Sequence, residues 1–333
     1  MSSKLLIIIS MISIIISFPS LRNTKEEFGK HFRKIVDQVK SAKKKVISVA
    51  AAGDLNVLEA VWEAHKRGIA DAILVGDEAK INEIAKAHNM DVTQFKVINE
   101  VDPIAAAHIA VGLVHNGEAD MYMKGLIDTK NFLKSVLDKN VGLRTGRPLS
   151  HVAVFEIKGI KQLLFLSDVA FMTYPSLEDK VHIIQNTVEI TNACGIKNPK
   201  VAVLAAVEVV NPKMPCTVDA AELSKMQDEG KIKDCIIDGP LSLDMAISRE
   251  ACEHKGGLNR KVVGDADILL FPDIHAGNLA YKLIVHTTQF LNGCILTGTK
   301  APVILTSRSD SIETKLYSIA LASVVAEHLK KHQ

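Results

Sequence analysis

The stretch VISVAAAGDLNVLEAVWEAHK, residues 46–66, contains a complete strand-to-helix unit. It begins with a short apolar and β-branched run, which Gly53 and Asp54 interrupt. The segment after them repeats apolar residues at spacings of three and four, which is the helical period. A strand over residues 46–51 followed by a helix over 55–66 is the βα unit from which parallel sheets are built.

The same alternation recurs along the rest of the chain and predicts the α/β class. The predicted strands are residues 46–51, 73–75, 120–123, 152–156, 162–166, 201–207, 235–237, 268–271, 295–296 and 303–305. The predicted helices include residues 55–66, 79–88, 103–115, 129–137 and 311–329. Residues 139–150 carry Gly, Arg and Pro without periodicity, so we expect the chain to cross there between two domains.

Composition limits the function classes. The 333 residues allow two domains, and 47% hydrophobic with 23% charged residues is typical of a globular chain. The formal net charge of +2 gives no bulk electrostatic reason to bind nucleic acid or an anionic membrane. Five cysteines, an odd number without a CxxC pair, favour a reducing compartment and provide no disulfide or zinc framework.

The amino terminus is the one part that does not fit an intracellular enzyme. Lys4 precedes a largely apolar run over residues 5–18, which resembles the start of a secretory signal. The run is shorter than the roughly 20 residues that span a bilayer, and no clear cleavage site follows it. We treat residues 1–20 as an extension outside the fold and expect a cytoplasmic protein. A targeting or membrane-surface segment and a packed helix are the alternatives.

Polar residues follow most of the predicted strands. Ligands of open α/β sheets bind beyond the carboxyl ends of the strands, so these positions are candidates for a site. They are Lys124-Gly125, Asp168, Glu208 with residues 211–213, residues 238–240, Asp273 and residues 306–310. The alternative is ordinary turn chemistry, because Asp, Asn, Gly and Pro occur in most strand-to-helix turns.

Residues 305–313 indicate an anion site. Asp310, with Glu313 three residues on, resembles a capping box at the start of the last helix. Ser307, Arg308 and Ser309 then precede unpaired backbone N–H groups, and Arg308 adds a planar fork that matches phosphate oxygens. Alternatively, Arg308 pairs with a carboxylate across the domain cleft.

Several common catalytic signatures do not occur. There is no G-x-G-x-x-G after the first strand, no G-x-x-x-x-G-K-[ST], no H-E-x-x-H and no G-x-S-x-G. These absences disfavour a Rossmann-type redox enzyme, a zinc hydrolase and an α/β-hydrolase. Cys216 and Cys252 have no placed histidine partner, so a cysteine nucleophile is also disfavoured. We predict no metal site.

Seven blocks in the same order resemble the phosphate acetyl/butyryltransferase family, above all its butyryl branch. They are MKGL (123–126), VGLRTG (141–146), SHVAVF (150–155), NPKMP (211–215), DGPLSLD (238–244), GN and YK (277–278 and 281–282), and APVILTSRSDS (301–311). Members of this family exchange an acyl group between coenzyme A and orthophosphate. The resemblance covers residues 46–326, and any one block alone would be a weak signal.

The resemblance implies two α/β domains with mostly parallel sheets and an interdomain cleft, as in isocitrate/isopropylmalate dehydrogenases. We expect residues 21–145 with 310–333 to form the first domain and residues 146–309 the second. It also implies a homodimer or larger homo-oligomer. The partners would be acyl-CoA and phosphate, with coenzyme A as a substrate and no permanently bound cofactor, nucleic acid or required membrane partner.

The same resemblance suggests residue roles. Ser307 and Arg308 align with a pair assigned to binding of the substrate phosphate and the transition state. An Asp proposed as base in the acetyl branch appears here as Thr314, so Asp310 and Asp273 are the candidate bases, with capping and turn formation as their alternatives. Lys124 would add positive charge, unless it is an ordinary solvated lysine. The expected substrate-binding residues are Lys124, Gly125, Thr129, Arg144, Ser150, Asp273, Asn278, Tyr281, Lys282 and Ser309.

We expect direct acyl transfer in a ternary complex, because an acyl phosphate is already activated and a thiol needs only a modest pKa shift. Three other functions remain open at this point. They are phosphate acetyl transfer, a non-catalytic acyl-CoA sensing module, and an oxidoreductase of the isocitrate dehydrogenase kind, which would need a nicotinamide cofactor and a divalent metal.

Overall fold

A computed structural model describes residues 28–306 and 310–332, so the predictions for residues 1–20 and for Ser307, Arg308 and Ser309 lie outside the described residues. In chain order the elements are α1 Lys30–Lys40, β1 Lys45–Ala50, α2 Leu55–Lys66, β2 Ala70–Gly76, α3 Glu78–Ala87, a 3₁₀ turn Val92–Gln94, β3 Lys96–Asn99, α4 Pro103–His115, β4 Met121–Lys124, α5 Thr129–Val136, β5 Ser150–Ile157, β6 Leu164–Ser167, α6 Leu177–Ala193, β7 Lys200–Leu204, α7 Pro215–Asp228, β8 Ile236–Leu241, α8 Leu243–Ile247, α9 Arg249–His254, β9 Ile268–Leu270, α10 Ile274–Thr287, β10 Phe290–Thr297, β11 Val303–Ile304 and α11 Ile312–His332.

The described strands form one sheet in the order β3-β2-β1-β4-β11-β10-β5-β6-β9-β7-β8. Parallel pairing joins β1 to β2 and β4, β2 to β3, β4 to β11, β6 to β9, and β7 to β8 and β9. Antiparallel pairing is confined to the middle, where β10 pairs with β11 and β5, and β5 with β6. The predicted α/β class with mostly parallel strands is confirmed. A single sheet contains the strands before residues 137–149, which we call the first half of the chain, and those after them, the second half.

The repeated βα pattern located most elements well. The helices predicted over residues 55–66 and 103–115 are α2 and α4 without a change of boundary. Asp54 caps α2 as its sequence position suggests, because its Oδ1 accepts from the backbone N of Val57 at 3.0 Å. Residues 137–149 contain no helix or strand, as the absence of periodicity indicated.

Some boundaries and two elements differ from the prediction. β7 ends at Leu204 rather than at residue 207, and β8 continues to Leu241 through Gly239 and Pro240. The apolar pattern did not predict the edge strand β3. None of its residues is fully buried, and it lacks the apolar run that marks the inner strands. The helix α1 was also missed, although its buried residues Phe32, Ile35 and Val39 recur at helical spacing.

The last helix, α11, packs against both halves. It contacts α1 and α2 from the first half and β10 and α6 from the second. The helix approaches β10 closely at Gly293, where an added Cβ would lie 2.9 Å from the carbonyl oxygen of Tyr317. One cluster of buried apolar residues accordingly contains side chains from both halves. The division into two domains stays a prediction. No helix in the described part of the chain is long and apolar enough to cross a bilayer.

The strand order changes direction between β1 and β4, and α/β proteins bind ligands at such a point. β2 and β3 lie on one side of β1, whereas β4 and β11 lie on the other. A crevice therefore opens beyond the carboxyl ends of β1 and β4. Gly125 fits this junction closely, because an added Cβ would lie 2.4 Å from the carbonyl oxygen of Ala51.

In the second half, α10 packs on the turn that follows β6. At Gly277 an added Cβ would lie 2.3 Å from the carbonyl oxygen of Asp168. The neighbouring Asn278 donates from Nδ2 to the carbonyl oxygen of Val169 at 3.1 Å. A residue without a side chain and an amide donor together fix the distance between α10 and this turn.

Gly277→Ala tests this packing against intrinsic helix propensity. Alanine favours an unstrained helix over glycine by about 0.8–1.0 kcal/mol, but overpacking costs about 1–3 kcal/mol. We expect chemical denaturation to show a lower free energy of unfolding for Gly277→Ala. The matched control is Gly112→Ala in α4, where no atom lies within 4 Å of an added Cβ and stability should be unchanged or raised. Equal stabilisation of both variants would contradict the close packing of α10.

Candidate active site

A cavity of about 270 Å³ lies where the two halves meet. Its wall combines the start of α5 and the end of β11 with β5, β10, α10 and the turn after β6. The lining residues are Thr129, His151, Val169, Ala170, Asn278, Tyr281, Lys282, Cys294, Leu305, Thr306 and Asp310. Thr306 and Asp310 are the described residues on either side of the segment that contains Ser307, Arg308 and Ser309.

Five of the residues predicted from the sequence meet at this cavity. They are Thr129, Asn278, Tyr281, Lys282 and Asp310. Three of them lie on α10 within five residues, so one helix brings them together. The Nζ of Lys282 lies 5.6 Å from the centre of the Tyr281 ring, which leaves an exposed ammonium at the rim of the cavity.

Lys124 and Gly125 lie at the end of β4, outside the cavity lining. The ammonium of Lys124 is not an ordinary solvated group, since the residue is only 7% exposed. Its Nζ donates to the carbonyl oxygen of Gly125 at 3.4 Å. Gly125 itself keeps the strand ends of β1 and β4 together, and its backbone N donates to Ala50 at 2.9 Å.

Three other predicted residues have structural contacts away from the cavity lining. Ser150 is buried, and its hydroxyl accepts from Nδ2 of Asn186 at 3.0 Å. Arg144 is exposed and forms an isolated antiparallel bridge with Thr299. Asp273 caps α10, and its Oδ1 accepts from the backbone N of Ala276 at 3.0 Å. The structure does not bring these three side chains to the cavity, and their substrate roles stay predictions.

The cap of the last helix differs from the sequence interpretation. The hydroxyl of Ser311, not the Asp310 carboxylate, accepts from the backbone N of Thr314 at 3.1 Å. The helix begins one residue later than expected, because a serine hydroxyl reaches the N–H three residues on as well as a carboxylate does. Asp310 lines the cavity instead.

A buried lysine stands at the start of α11. Lys315 is 2% exposed, and its Nζ donates to the carbonyl oxygen of Asp310 at 2.5 Å. Burial lowers the pKa of Lys315, while the negative charges of Asp310 and Asp54 oppose that shift. Together with the amino-terminal ends of α5 and α11, this ammonium makes the region attractive to an anion.

Two buried residues carry chemistry that the sequence did not assign: His151 lines the cavity, and Asp168 contacts its backbone without lining the cavity itself. His151 lies inside β5 and is 5% exposed, and Asp168 follows β6 and is 3% exposed. Oδ2 of Asp168 accepts from the backbone N of His151 at 2.8 Å. Asp168 was noticed only as one of many polar strand ends. His151 belongs to the SHVAVF block, but the block does not single it out, because one histidine in an apolar strand resembles a core residue.

Burial dominates the titration of His151. Removal from water lowers the pKa of the imidazole, and the carboxylates of Asp168 and Asp310 and the carbonyl of Leu305 oppose the shift. The ring is therefore neutral at pH 7, with two negative charges close enough to stabilise its protonated form.

A polar chain crosses the inner wall of the cavity. The Thr314 hydroxyl donates to Oδ1 of Asn292 at 2.8 Å, and Nδ2 of Asn292 donates to the Tyr281 hydroxyl at 3.3 Å. The Tyr281 hydroxyl and the Cys294 Sγ lie 3.9 Å apart. Burial raises the pKa of Cys294 to about 12, with Asp310 adding to the shift, so this thiol stays protonated and is a poor nucleophile.

The described residues contain no cluster of three or more His, Cys, Asp or Glu side chains arranged to hold a metal ion. The five cysteines all lie in the described part of the chain, and their thiols are free.

Comparison with known proteins gives a consistent result. The family model described as phosphate acetyl/butaryl transferase matches residues 31–105 and 102–323. The phosphate butyryltransferase of Clostridium acetobutylicum is 57% identical over 297 residues, which are 89% of this chain and 98% of that protein. The phosphate acetyltransferase of Thermotoga maritima is 43% identical over 293 residues, 88% of this chain and 99% of that protein.

A solved structure agrees with the sequence relatives. The branched-chain phosphotransacylase of Enterococcus faecalis V583 superposes with a TM-score of 0.76 at 33% identity, covering 85% of this chain and 99% of its own. The match extends over both halves, and so over both walls of the cavity. On its sequence and its fold alike, the chain belongs to the phosphate acetyl/butyryl transferase family.

Proposed function

We propose that the protein transfers a short acyl group between coenzyme A and orthophosphate, with butanoyl-CoA and phosphate giving butanoyl phosphate and coenzyme A. The observation that carries the proposal is the cavity to which both halves contribute, in a chain 57% identical to a phosphate butyryltransferase. Its polar wall suits an acyl phosphate, and its apolar residues Val169, Ala170 and Leu305 suit a short hydrocarbon chain.

Transfer is direct, within a ternary complex. The coenzyme A sulfur attacks the acyl carbonyl, a tetrahedral oxyanion forms, and phosphate leaves. An ordinary thiol has a pKa of about 8.5, so a small fraction is thiolate at pH 7 and positioning supplies most of the catalysis. The raised pKa of Cys294 supports this route, since the protonated thiol in the cavity wall is poorly suited to form an acyl-enzyme.

Phosphate leaves toward positive charge. We assign Arg308 to the phosphate oxygens and Ser307 to the oxyanion or the bridging oxygen, with Ser309 as a further donor. Lys315 and the amino-terminal end of α11 support this assignment, because they place positive charge next to Asp310. Lys124 adds charge from the adjoining strand end.

The other predicted residues complete the substrate site in this proposal. Thr129, Asn278, Tyr281 and Lys282 contact substrate from the cavity wall, which their lining positions support. Gly125, Arg144, Ser150 and Asp273 are the remaining proposed substrate-binding residues, and they lie outside the cavity lining. Of the two candidate bases, Asp310 lines the cavity and Asp273 does not.

The protein also acts as a homodimer or larger homo-oligomer in this proposal. Leu279 and Leu283 on the outer face of α10 are 71% and 65% exposed, and a second copy would cover them.

Light scattering should give at least twice the monomer mass of 36.2 kDa, and a monomer would refute the proposal. Free thiols on all five cysteines support the proposed cytoplasmic location.

Arg308→Ala tests the phosphate assignment. Loss of one donor to a developing charge lowers turnover by about 10²–10³-fold, so we expect kcat/KM for butanoyl phosphate and coenzyme A to fall by about 100-fold or more. The control is Arg249→Ala, whose guanidinium forms an exposed ion pair with Glu253 at 3.4 Å and should be dispensable. Turnover near that of the unmodified enzyme in Arg308→Ala would exclude the role.

An acyl-chain series tests the butanoyl assignment. Each extra methylene in an apolar pocket is worth about 1–3 kcal/mol, and butanoyl has two more than acetyl, so butanoyl-CoA should exceed acetyl-CoA by at least about 30-fold in kcat/KM. Phosphate-dependent release of coenzyme A measures the rates for acetyl, butanoyl and branched acyl chains. A preference for acetyl-CoA would instead favour phosphate acetyl transfer, the activity named for the Thermotoga maritima relative.

A further inference from the structure

His151 has an unpaired ring nitrogen at the cavity. Its Nδ1 is buried and has no hydrogen-bond partner in the described part of the chain, although the residue lines the cavity. Buried polar atoms are almost always paired in folded proteins, and an exception points to a ligand or a chemical role.

Asp168, directly after β6, contacts the backbone of His151. Its carboxylate accepts three backbone N–H groups, from His151 at 2.8 Å, Ala170 at 2.8 Å and Phe171 at 2.7 Å. These hydrogen bonds hold the carboxylate in place, and its charge favours a proton that arrives at His151.

The other titratable groups that line the cavity are less suited to accept a thiol proton. Burial raises the pKa of Tyr281 and that of Cys294, so both remain neutral and already protonated. Lys282 is an exposed ammonium. A carboxylate such as that of Asp310 is a much weaker base than a thiolate, whereas an imidazole is the side chain best matched to proton transfer at neutral pH.

We propose that His151 carries the proton in the acyl transfer and that Asp168 is a positioning residue. Its carboxylate holds the backbone of His151, and its negative charge favours the protonated imidazole. As the sulfur–carbon bond forms, Nδ1 of His151 takes the thiol proton. As the carbon–oxygen bond to phosphate breaks, its electron pair stays on the phosphate oxygen and the imidazolium returns the proton to phosphate. Atoms and charge balance without any further reactant. This inference rests on the proposed acyl transfer.

The test compares two variants that separate His151 from Asp310. His151→Asn keeps a polar group near the position of Nδ1 but removes the base, and kcat/KM should fall by about 10²–10⁴-fold. Asp310→Asn should cost less than about tenfold if the proton goes to His151. The control His286→Asn lies on α10, outside the cavity lining, and is exposed, so its rate should match that of the unmodified enzyme.

The pH profile gives a readout that a merely structural role would not move. His151 must be neutral to act, so kcat/KM falls as the pH drops through its pKa. The charged groups that face the ring are Asp168 from the turn after β6 and Asp310 from the segment before α11, and the neutral Tyr281 and Cys294 line the same cavity. Asp310→Asn removes a charge that favours the imidazolium, so the acid limb should move to lower pH.

Each outcome decides the inference. A large loss in His151→Asn with a small loss and a shifted acid limb in Asp310→Asn supports it. A rate within about threefold of the unmodified enzyme in His151→Asn, or a loss above about 100-fold in Asp310→Asn, overturns it. If His151→Asn does not fold, the rate of Asp310→Asn and the pH profile of its kcat/KM decide whether the inference holds. An unmodified enzyme without acyl transfer between butanoyl phosphate and coenzyme A would instead refute the proposed function.

Discussion

The antiparallel pairing of β5 with β10 is the contact on which the architecture depends. Eight residue pairs run from Ser150 opposite Thr297 to Ile157 opposite Phe290, and they join two parallel half-sheets into one. Without this pair each half would end in an open sheet edge. Because side chains alternate along strands, the same register places His151 and Cys294 on one face of the sheet, beside each other at the cavity.

The last helix fixes that pairing in place. The Ser318 hydroxyl accepts from the backbone N of Cys294 at 2.9 Å, and Gly293 allows the helix backbone to approach β10. At the far end of the same helix, Lys45 pairs with Glu327 at 2.5 Å. The start of α11 therefore occupies a defined position beside the cavity, because its remaining length is packed against both halves.

Three charged side chains outside the cavity lining are buried in the elements around it. Lys124, Lys315 and Asp168 are each at most 7% exposed, and burial of charged groups opposes folding unless hydrogen bonds compensate. Each of them has a hydrogen bond to or from the backbone. This arrangement suits a reaction in which negative charge moves from an acyl oxygen to phosphate, since fixed charges and dipoles do not need to reorganise during the step.

The sequence by itself determined the α/β class, most element positions, the strand-end location of the site and five residues of the cavity wall. It did so because hydrophobic period and turn residues are local signals, and because α10 carries Asn278, Tyr281 and Lys282 within two turns. Only the tertiary structure decided that one sheet joins the halves and that Asp168 contacts the backbone of His151, which lines the cavity. The physical reason is that strand pairing acts between residues far apart in the chain, so neither local spacing nor residue type indicates which buried histidine will lie beside which carboxylate.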